Sequence, residues 1–330
     1  MTRIVRFHEI GDPEVLRIDD VEFPGPGPDE VRIRVKALGL NRAEAMFRRG
    51  AYVVEPVFPQ GLGYEAAGIV EAVGQGVTGI EVGDSVSTIP SLLMSRWPAY
   101  GELATFPAYL IVKHPAKLSF AEAAAAWMQY VTAYGALIEA GKLTEGDTVV
   151  VTAASSSVGL AAIQIANMVG ATPIATTRGK AKKQALLDAG AAHVVVTDEE
   201  DLVASVRSLT GGKGAKLVFD PISGPIVEKL AAALASGGML IEYGLLSGEP
   251  TPFPLFPAIV NGLSMRGFSY AEIVDNDARL AEAKDFILRG LESGALKPII
   301  AKTFAFEEIV EAHRFMESNA QFGKIIVTLP

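Results

Sequence analysis

Residues 149–171, VVVTAASSSVGLAAIQIANMVGA, decide the fold of this 330-residue chain. An apolar, β-branched run ends in two alanines, three serines follow, and an apolar helix-forming segment begins near Val158. A strand that enters a tight turn and then a helix opens a dinucleotide-binding α/β sheet, in which the turn usually reads G-x-G-x-x-G. Only Gly159 of these three glycines is present, and Ala154 and Ser156 take the other two places. These small residues keep the steric argument in a weaker form, and the alternative is a serine N-cap in an ordinary α/β unit.

Strand and helix signals alternate after this turn. Runs of β-branched residues recur at intervals of roughly 25 to 30 residues, with helical segments between them. This alternation predicts a parallel sheet covered by helices on both faces, the doubly wound α/β arrangement. The predicted strands are Thr148–Ala153, Thr172–Thr176, His193–Thr197, Lys216–Asp220 and Met239–Tyr243. The predicted helices begin near Val158, Ala181, Glu199, Pro225 and Ala278, and the helix-forming stretch AEAAAAWMQYVTAYGALIEAG leads into the sheet from residue 121.

The chain before and after this region has a different pattern. Up to about residue 120, short apolar runs are separated by turn sequences such as PGPGPDE and GQGVTG, which is typical of β-rich folds. After residue 268 no new strand–helix repeat begins. We therefore expect residues 1–122 to form the first part of a β-rich domain, residues 123–267 to form a Rossmann domain, and residues 268–330 to return and complete the β-rich domain.

Basic residues follow the second predicted strand, where dinucleotide-binding proteins distinguish their cofactors. NAD-binding proteins carry an acidic residue there that receives the ribose hydroxyls. This chain has Arg178 and Lys182 instead, and no Asp or Glu before Asp188. A guanidinium can bind a 2′-phosphate through two N–H groups, so we expect NADPH; the alternative is the solvated start of a helix. The expected cofactor-binding residues here are Ser155, Ser156, Ser157, Val158, Gly159, Thr177, Arg178 and Lys182.

The composition excludes several classes of protein. A formal net charge of -9 argues against nucleic acid or an anionic membrane as partner. The absence of cysteine excludes disulfides, thiol catalysis and thiolate-rich zinc sites. No apolar run suits a signal peptide or a membrane span, so we expect a cytoplasmic protein. The four histidines, His8, His114, His193 and His313, are scattered along the chain, and we expect no bound metal.

Several segments, in their order and spacing, resemble one known family along essentially the whole chain. They are Asn41 with Gly50-Ala51-Tyr52, GLGYEAAGIVEAVGQGV with VGDSV, Thr132-Ala133-Tyr134-Gly135, AASSSVGLAAIQIA, ALLDAGAAHVV, EYGLLSG and FEEIVEAHRFMESNAQFGKIIV. The chain resembles the zinc-independent quinone oxidoreductases of the medium-chain dehydrogenase/reductase superfamily, the group that includes the zeta-crystallin-like reductases. This resemblance implies a Rossmann domain inserted into a GroES-like β-rich domain. It also implies a homodimer joined through the Rossmann sheets at Leu255–Gly267.

The resemblance further implies hydride transfer from NADPH to a quinone or a related conjugated carbonyl compound. The residues that would border the nicotinamide are Asn41, Thr132, Phe322, Gly323 and Lys324, and those that would flank the rest of the cofactor are Tyr243, Gly244 and Leu245. Tyr52 and Tyr64, together with Asn41, are the expected catalytic residues, because a phenol can hydrogen-bond to a carbonyl oxygen as negative charge develops on it. For Tyr52 the alternative is a residue that only shapes the pocket.

The chain departs from its family in ways that leave the substrate open. Ser156 and Ser157 replace the two middle glycines of the family turn A-A-x-G-G-V-G, and Tyr64 stands where small hydroxyl residues are common. One alternative function is the reduction of activated C=C bonds in a 2-enoyl thioester, enone or haloacrylate, and the basic rim that a CoA ester requires would be Arg42, Arg48 and Arg49. A second alternative is a non-enzymatic NADPH-binding protein with a structural or regulatory role.

Overall fold

The computed structural model describes all 330 residues. The strands in chain order are β1 (Thr2–Phe7), β2 (Leu16–Val21), β3 (Glu30–Gly39), β4 (Gln60–Gly61), β5 (Glu65–Val73), β6 (Ser85–Thr88), β7 (Leu103–Pro107), β8 (Ile111–Lys113), β9 (Thr148–Val151), β10 (Thr172–Thr177), β11 (His193–Val196), β12 (Ala215–Asp220), β13 (Leu234–Glu242), β14 (Ser264–Gly267), β15 (Ile300–Ala305) and β16 (Lys324–Thr328). The α-helices are α1 (Arg42–Arg48), α2 (Phe120–Ala123), α3 (Trp127–Tyr134), α4 (Ser157–Met168), α5 (Lys183–Asp188), α6 (Leu202–Leu209), α7 (Ile226–Ala233), α8 (Leu255–Asn261), α9 (Ala271–Val274), α10 (Asp277–Ser293) and α11 (Ile309–Glu317). None of the helices is both long and apolar enough to cross a membrane.

The chain folds into two compact units. The first contains Met1–Met128 and Pro298–Pro330, and the second contains Gln129–Lys297. The second break in the chain therefore lies later than residue 267, where the sequence pattern changes. The reason is that α10 packs within the second unit, where the Phe286 ring contacts the Tyr134 ring with centroids 5.0 Å apart.

The first unit is built on a seven-stranded sheet in the order β15-β16-β3-β5-β6-β8, with β7 also paired to β3. All its strand pairs are antiparallel except β15 with β16. Strand β3 shows why this sequence forms a sheet: Val31, Ile33 and Val35 alternate with polar residues and are buried. A smaller sheet in the order β2-β1-β4 completes the unit. The predicted β-rich character of this part of the chain is confirmed.

The second unit contains a six-stranded parallel sheet in the order β11-β10-β9-β12-β13-β14, which confirms the doubly wound fold class. Its central strands are almost continuously apolar because helices cover both faces of the sheet. In β9, for example, Val149, Val150 and Val151 are all fully buried. The carboxyl ends of β9, β10, β12 and β13 lie at the same edge of the sheet, which is where ligands of such folds bind.

The predicted helix from residue 121 is divided in the structure. Helices α2 and α3 are followed by a π-helix at Gly135–Ala140. Glycine is required at position 135 because a Cβ atom there would lie 2.6 Å from side-chain atoms of Phe268 and Ile273. This close approach lets α9 pack against the segment that leads into the sheet, a contact that local helix propensity does not reveal.

Candidate functional site

The serine turn between β9 and α4 has the geometry of a dinucleotide-binding turn. Ala153 adopts a left-handed conformation with φ of 43°, which glycine favours and alanine adopts only at a cost. Gly159 is required, because a Cβ atom there would lie 2.7 Å from the Ala154 backbone. The Ser156 hydroxyl caps α4 by accepting a hydrogen bond from the Gly159 N–H at 3.0 Å. The serine N-cap expected as the alternative is therefore present, and the first-turn N–H groups of α4 still point out of its N-terminus.

Two basic side chains lie together beyond the end of β10. The Lys182 ammonium donates to the Ser155 hydroxyl at 3.3 Å, so it reaches the serine turn. Burial, and then the neighbouring charge of Arg178, lower the pKa of Lys182. Arg178 is exposed and forms no ion pair, whereas nearby Lys180 and Lys183 pair with glutamates of the segment after β11. Positive charge is thus concentrated at this strand end, with no carboxylate paired to the guanidinium, while Thr177 hydrogen-bonds to the Gly179 carbonyl at 3.1 Å.

The ends of β12 and β13 carry a second polar group of the same unit. The Tyr243 ring stacks on the Phe219 ring, with centroids 4.0 Å apart and planes 16° apart. Burial raises the pKa of the Tyr243 phenol, and its hydroxyl lies beside Ser156. Gly244 follows at a position where a Cβ atom would lie 2.8 Å from the Pro221 carbonyl oxygen, and Leu245 is exposed. The structure therefore brings the Tyr243 hydroxyl to the serine turn.

Asn41 and Lys324 belong to a buried polar cluster in the first unit. The Lys324 ammonium donates to Asn41 Oδ1 at 2.7 Å and to Glu65 Oε2 at 2.5 Å. The other Glu65 oxygen accepts the Met128 N–H at 2.8 Å. The Lys324 and Glu65 side chains are fully buried, so water does not screen this ion pair. The Lys324 charge is thereby matched by Glu65, and it holds the Asn41 side chain in one orientation.

Glu44 extends this cluster and was not singled out from the sequence. It accepts the N–H groups of Asn41 at 2.7 Å and Tyr64 at 3.0 Å, and it accepts the Tyr100 hydroxyl proton. Burial raises the pKa of Glu44 to about 7 despite these donors. The spacing Asn41-x-x-Glu44 before a helix is a capping-box signal that could have identified it. Glu44 thus fixes the backbone of Asn41 and Tyr64, two of the three residues expected to be catalytic.

The two candidate tyrosines belong to a row of aromatic rings in the first unit. Tyr52 contacts Tyr64 with ring centroids 6.5 Å apart, and Tyr52 contacts Phe47 at 6.1 Å, both edge to face. Tyr64 is almost completely buried, whereas Tyr52 is half-buried. Such edge-to-face packing gives an apolar cluster whose phenol groups are its polar points.

The remaining assigned residues are placed as follows. Thr132 lies in α3 and is buried within the second unit. Phe322 and Gly323 precede β16 in the first unit, and Gly323 has a φ of 103° and sits tightly against the Ile299 carbonyl, where any side chain would clash. The positive φ and the close approach to Ile299 explain why glycine occupies position 323.

The three arginines considered as a basic rim are all engaged within the first unit. Arg48 is fully buried and donates to Glu317 and, at 2.5 Å, to the Gly11 carbonyl. Arg49 pairs with Glu317 at 2.5 Å and with an aspartate. Arg42 donates to the Met316 carbonyl at 2.7 Å and to an asparagine side chain. Each of the three guanidinium groups already binds acceptors within the protein, so none is left without partners to bind a phosphate.

The four histidines do not come together. His8 pairs with Asp19 at 2.9 Å, His114 contacts the Ser87 hydroxyl at 3.2 Å, His193 is exposed at the start of β11, and His313 is fully buried. No group of three or more His, Cys, Asp or Glu side chains is placed to hold a metal ion.

Two family models match this chain. One, described as a zinc-binding dehydrogenase, matches residues 157–288, and the other, an alcohol dehydrogenase GroES-like domain, matches residues 27–117. The matched segments correspond to the parallel α/β part and to the β-rich part of the chain. Both models agree with the fold class expected from the sequence.

Curated proteins and solved structures match over the full length. The chain is 32% identical over 332 residues to quinone oxidoreductase 1 of Escherichia coli K12, covering 99% of each chain. It is 30% identical over 333 residues to a 2-haloacrylate reductase of a Burkholderia species, covering 97% of each. The crystal structure of Escherichia coli quinone oxidoreductase complexed with NADPH superposes with a TM-score of 0.90 at 31% identity, covering 99% of this chain and 100% of that one.

Proposed function

Because the chain belongs to the quinone oxidoreductase family of the medium-chain dehydrogenase/reductase superfamily, we propose that it is an NADPH-dependent reductase of a quinone or a related conjugated carbonyl compound. One observation carries the cofactor: Arg178, which has no carboxylate partner, lies with Lys182 at the end of β10. A related structure at 31% identity holds NADPH. The residues present fit this cofactor, with the 2′-phosphate on Arg178 and Lys182 and the pyrophosphate at the serine turn.

Bound NADPH supplies a hydride from its reduced nicotinamide, and the protein supplies orientation and polar contacts. In this proposal Ser155, Ser156 and the first-turn N–H groups of α4 hold the pyrophosphate. The Tyr243 hydroxyl lies beside Ser156 of the same turn. Asn41, fixed by Lys324, is one of the residues that orient the nicotinamide end. Asn41, Thr132, Phe322, Gly323 and Lys324 are assigned to that end, and Tyr243, Gly244 and Leu245 to the rest of the cofactor, on the family resemblance.

Tyr52 and Tyr64 are the proposed hydrogen-bond donors to the acceptor's carbonyl oxygen. Donors placed where negative charge develops lower the barrier because they need no reorganisation during the reaction. The backbone N–H of Tyr64 is fixed by Glu44, and the Tyr52 ring packs against Phe47 and Tyr64. These contacts place both phenols in one apolar aromatic cluster, which supports an uncharged conjugated acceptor.

The engaged arginines favour a small acceptor over a CoA ester. A CoA ester carries several phosphate charges, and binding them requires cations that are not already paired. Arg42, Arg48 and Arg49 all bind acceptors of the first unit. A haloacrylate or enone, which lacks a nucleotide, remains a second candidate because a relative at 30% identity is a 2-haloacrylate reductase.

Zinc-independent chemistry is part of this proposal. One matching family model is described as a zinc-binding dehydrogenase, but this chain has no cysteine and no cluster of three ligating side chains. Zinc sites of that branch depend on thiolate and imidazole ligands. The proposed reaction therefore relies on an acceptor that conjugation has already made electron-poor.

We also propose a homodimer formed through α8 and the edge strand β14. The exposed apolar side chains of this region are Phe253, Leu255, Phe256, Ile259 and Val260. An edge strand presents unpaired backbone groups, and a second copy of the same strand can satisfy them. Sedimentation should give twice the mass of the chain, and a charged substitution such as Ile259→Lys should give the monomer.

Two titrations and one panel of acceptors test the proposed function. NADPH and NADH are titrated separately against the protein, and NADPH is expected to bind more tightly because NADH lacks the 2′-phosphate; equal affinities would refute the cofactor assignment. Oxidation of NADPH is then followed with 9,10-phenanthrenequinone, 1,4-benzoquinone, an α,β-unsaturated ketone and an enoyl thioester. Reduction of the thioester alone would refute the quinone or enone assignment. Tight NADPH binding without turnover of any acceptor would favour a structural or regulatory role.

A further inference from the structure

Two carboxyl groups stand side by side at the ligand edge of the parallel sheet. Asp220 ends β12, Glu242 ends β13, and their Cα atoms are direct partners in the parallel register. Neighbouring strands are about 4.8 Å apart, and partnered residues point to the same face of the sheet. The carboxyl groups of Asp220 and Glu242 therefore lie side by side on one face of the sheet, and Glu242 Oε1 has no hydrogen-bond partner.

The Asp220 carboxyl accepts two hydrogen bonds inside the protein. It is fully buried, and all the groups that contact it are donors: the Thr152 hydroxyl binds one carboxylate oxygen and the Ser223 N–H binds the other at 2.6 Å. Thr152 follows β9 directly, so this carboxylate is tied to the strand that leads into the serine turn. Ser223 has a left-handed φ of 59°, and its bond to Asp220 helps to hold that conformation.

The contacts of Ser223 indicate that Glu242 carries a proton. The Ser223 hydroxyl lies 2.6 Å from Glu242 Oε2 and 2.7 Å from the Gly244 carbonyl oxygen. One hydroxyl has one proton, and a carbonyl can only accept, so both contacts are satisfied when Glu242 donates to Ser223 and Ser223 donates to Gly244. Burial, and then the charge of Asp220, raise the pKa of Glu242 to about 8.

The surroundings of the pair contain no compensating cation. The groups that shift the pKa of Glu242 are Asp220 on β12 and Ser223 in the segment after it, and its chain neighbour Tyr243 is a buried phenol. Tyr243 in turn lies beside Ser156 of the serine turn. A second negative charge here would therefore face the part of the protein that is proposed to receive the pyrophosphate.

We propose that Glu242 holds a proton beside the Asp220 carboxylate and that tight NADPH binding requires this proton. The inference rests on the proposed function, which supplies the ligand. The phosphates of NADPH bring negative charge to this edge of the sheet, and a singly charged pair repels them less than a doubly charged pair. If only the protonated pair binds tightly, the Kd for NADPH rises about 30-fold between about pH 7 and pH 9.5.

The binding experiment compares three proteins. The Kd for NADPH is measured by fluorescence at both pH values for the wild type, for Glu242→Gln and for Glu228→Gln. The amide of Glu242→Gln keeps a donor and cannot ionise, whereas Glu228→Gln removes an exposed carboxylate of the same unit. In the wild type and Glu228→Gln, the Kd for NADPH should rise by the full factor between the two pH values. In Glu242→Gln it should rise only by the smaller factor that Lys182 contributes in all three proteins. Equal losses in the wild type and Glu242→Gln would overturn the inference.

A second measurement needs no cofactor. Infrared difference spectra, wild type minus Glu242→Gln, cancel the band of the other buried carboxyl, Glu44, and should leave a protonated carboxyl band that disappears with a midpoint near pH 8. Asp220→Asn removes the neighbouring charge and should move the midpoint to lower pH. A wild-type midpoint in the range of ordinary carboxyl groups would overturn the inference even if NADPH binds. Failure of NADPH to bind at any pH would refute the proposed function, and the proton linkage with it.

Discussion

Two groups of basic side chains, one in each unit, differ in what surrounds them. Arg42, Arg48 and Arg49 of the first unit all bind carboxylates, carbonyls or amides of that unit. Arg178 of the second unit forms no ion pair and lies beside Lys182, which has the same charge. Both groups have the same appearance in the sequence. The difference shows that a basic cluster indicates a ligand site only where the fold leaves its charges unmatched.

The largest expected effect is on stability, at the engaged cluster formed by Arg42, Arg48 and Arg49. Arg48→Met removes one of the two arginines that pair with Glu317 and also the donor to the Gly11 carbonyl, and the loss of these two charge-assisted hydrogen bonds should lower the free energy of unfolding by about 3–5 kcal/mol. Urea denaturation measures this loss. The matched control, Arg178→Met, removes an exposed arginine and should leave stability unchanged. A similar loss in both variants would mean that the two clusters do not differ as described.

His313 gives a pH-dependent test of the same cluster. Burial, and then the charges of Arg48 and Arg42, lower its pKa to about 3, and neither ring nitrogen has a hydrogen-bond partner. The unfolded chain binds a proton on this histidine below its ordinary pKa of 6.5 and the folded chain does not, so stability falls on acidification. Relative to His313→Leu, the wild type should lose about 2–3 kcal/mol between pH 6.5 and about pH 4.5. Parallel stability curves for the two proteins would contradict this.

The unmatched cluster formed by Arg178 and Lys182 should affect cofactor binding and not the stability of the fold. Arg178→Ala removes a charge-assisted contact to the 2′-phosphate and should weaken NADPH binding by about 1.5–3 kcal/mol, with NADH binding unchanged. Isothermal titration of both cofactors measures the difference. Lys180→Ala is the control, because Lys180 lies two residues away and pairs with Glu199 at 3.7 Å. Equal losses for NADPH and NADH would show that Arg178 does not read the 2′-phosphate.

The smallest expected effect is at the exposed edge of the engaged cluster. Arg49→Ala breaks partly exposed ion pairs and should change stability by no more than about 1 kcal/mol. The rate with an enoyl-CoA relative to a simple enone should also remain the same, because Arg49 is not available to a phosphate. A selective loss of the CoA rate would restore the basic-rim interpretation.

The sequence predicts the parallel sheet well because its signals are local. The run at Thr148–Val151 and the strand at Thr172–Thr177 begin where β-branched patterning begins, and Gly159 identifies the turn between them. Arg178 and Lys182 are recognised by their distance from that turn alone. The requirement for glycine at position 135 is missed, because the side chains that approach it lie more than a hundred residues away in the sequence.

The polar clusters could not be predicted in the same way. Lys324 meets Asn41 and Glu65 across 283 and 259 residues, so only the folded sheet brings them together. Asp220 and Glu242 become neighbours through the register of β12 and β13, which no local pattern specifies. The family resemblance assigned Asn41 and Lys324 to the site, but it could not show that the Lys324 charge is matched by a buried carboxylate.

A crystal structure with NADPH bound tests the central claim most directly. The account predicts that oxygens of the 2′-phosphate lie within hydrogen-bond distance of the Arg178 guanidinium, with Lys182 beside them at the end of β10. A structure in which the 2′-phosphate lies away from this strand end, with the Arg178 side chain in solvent, would contradict it.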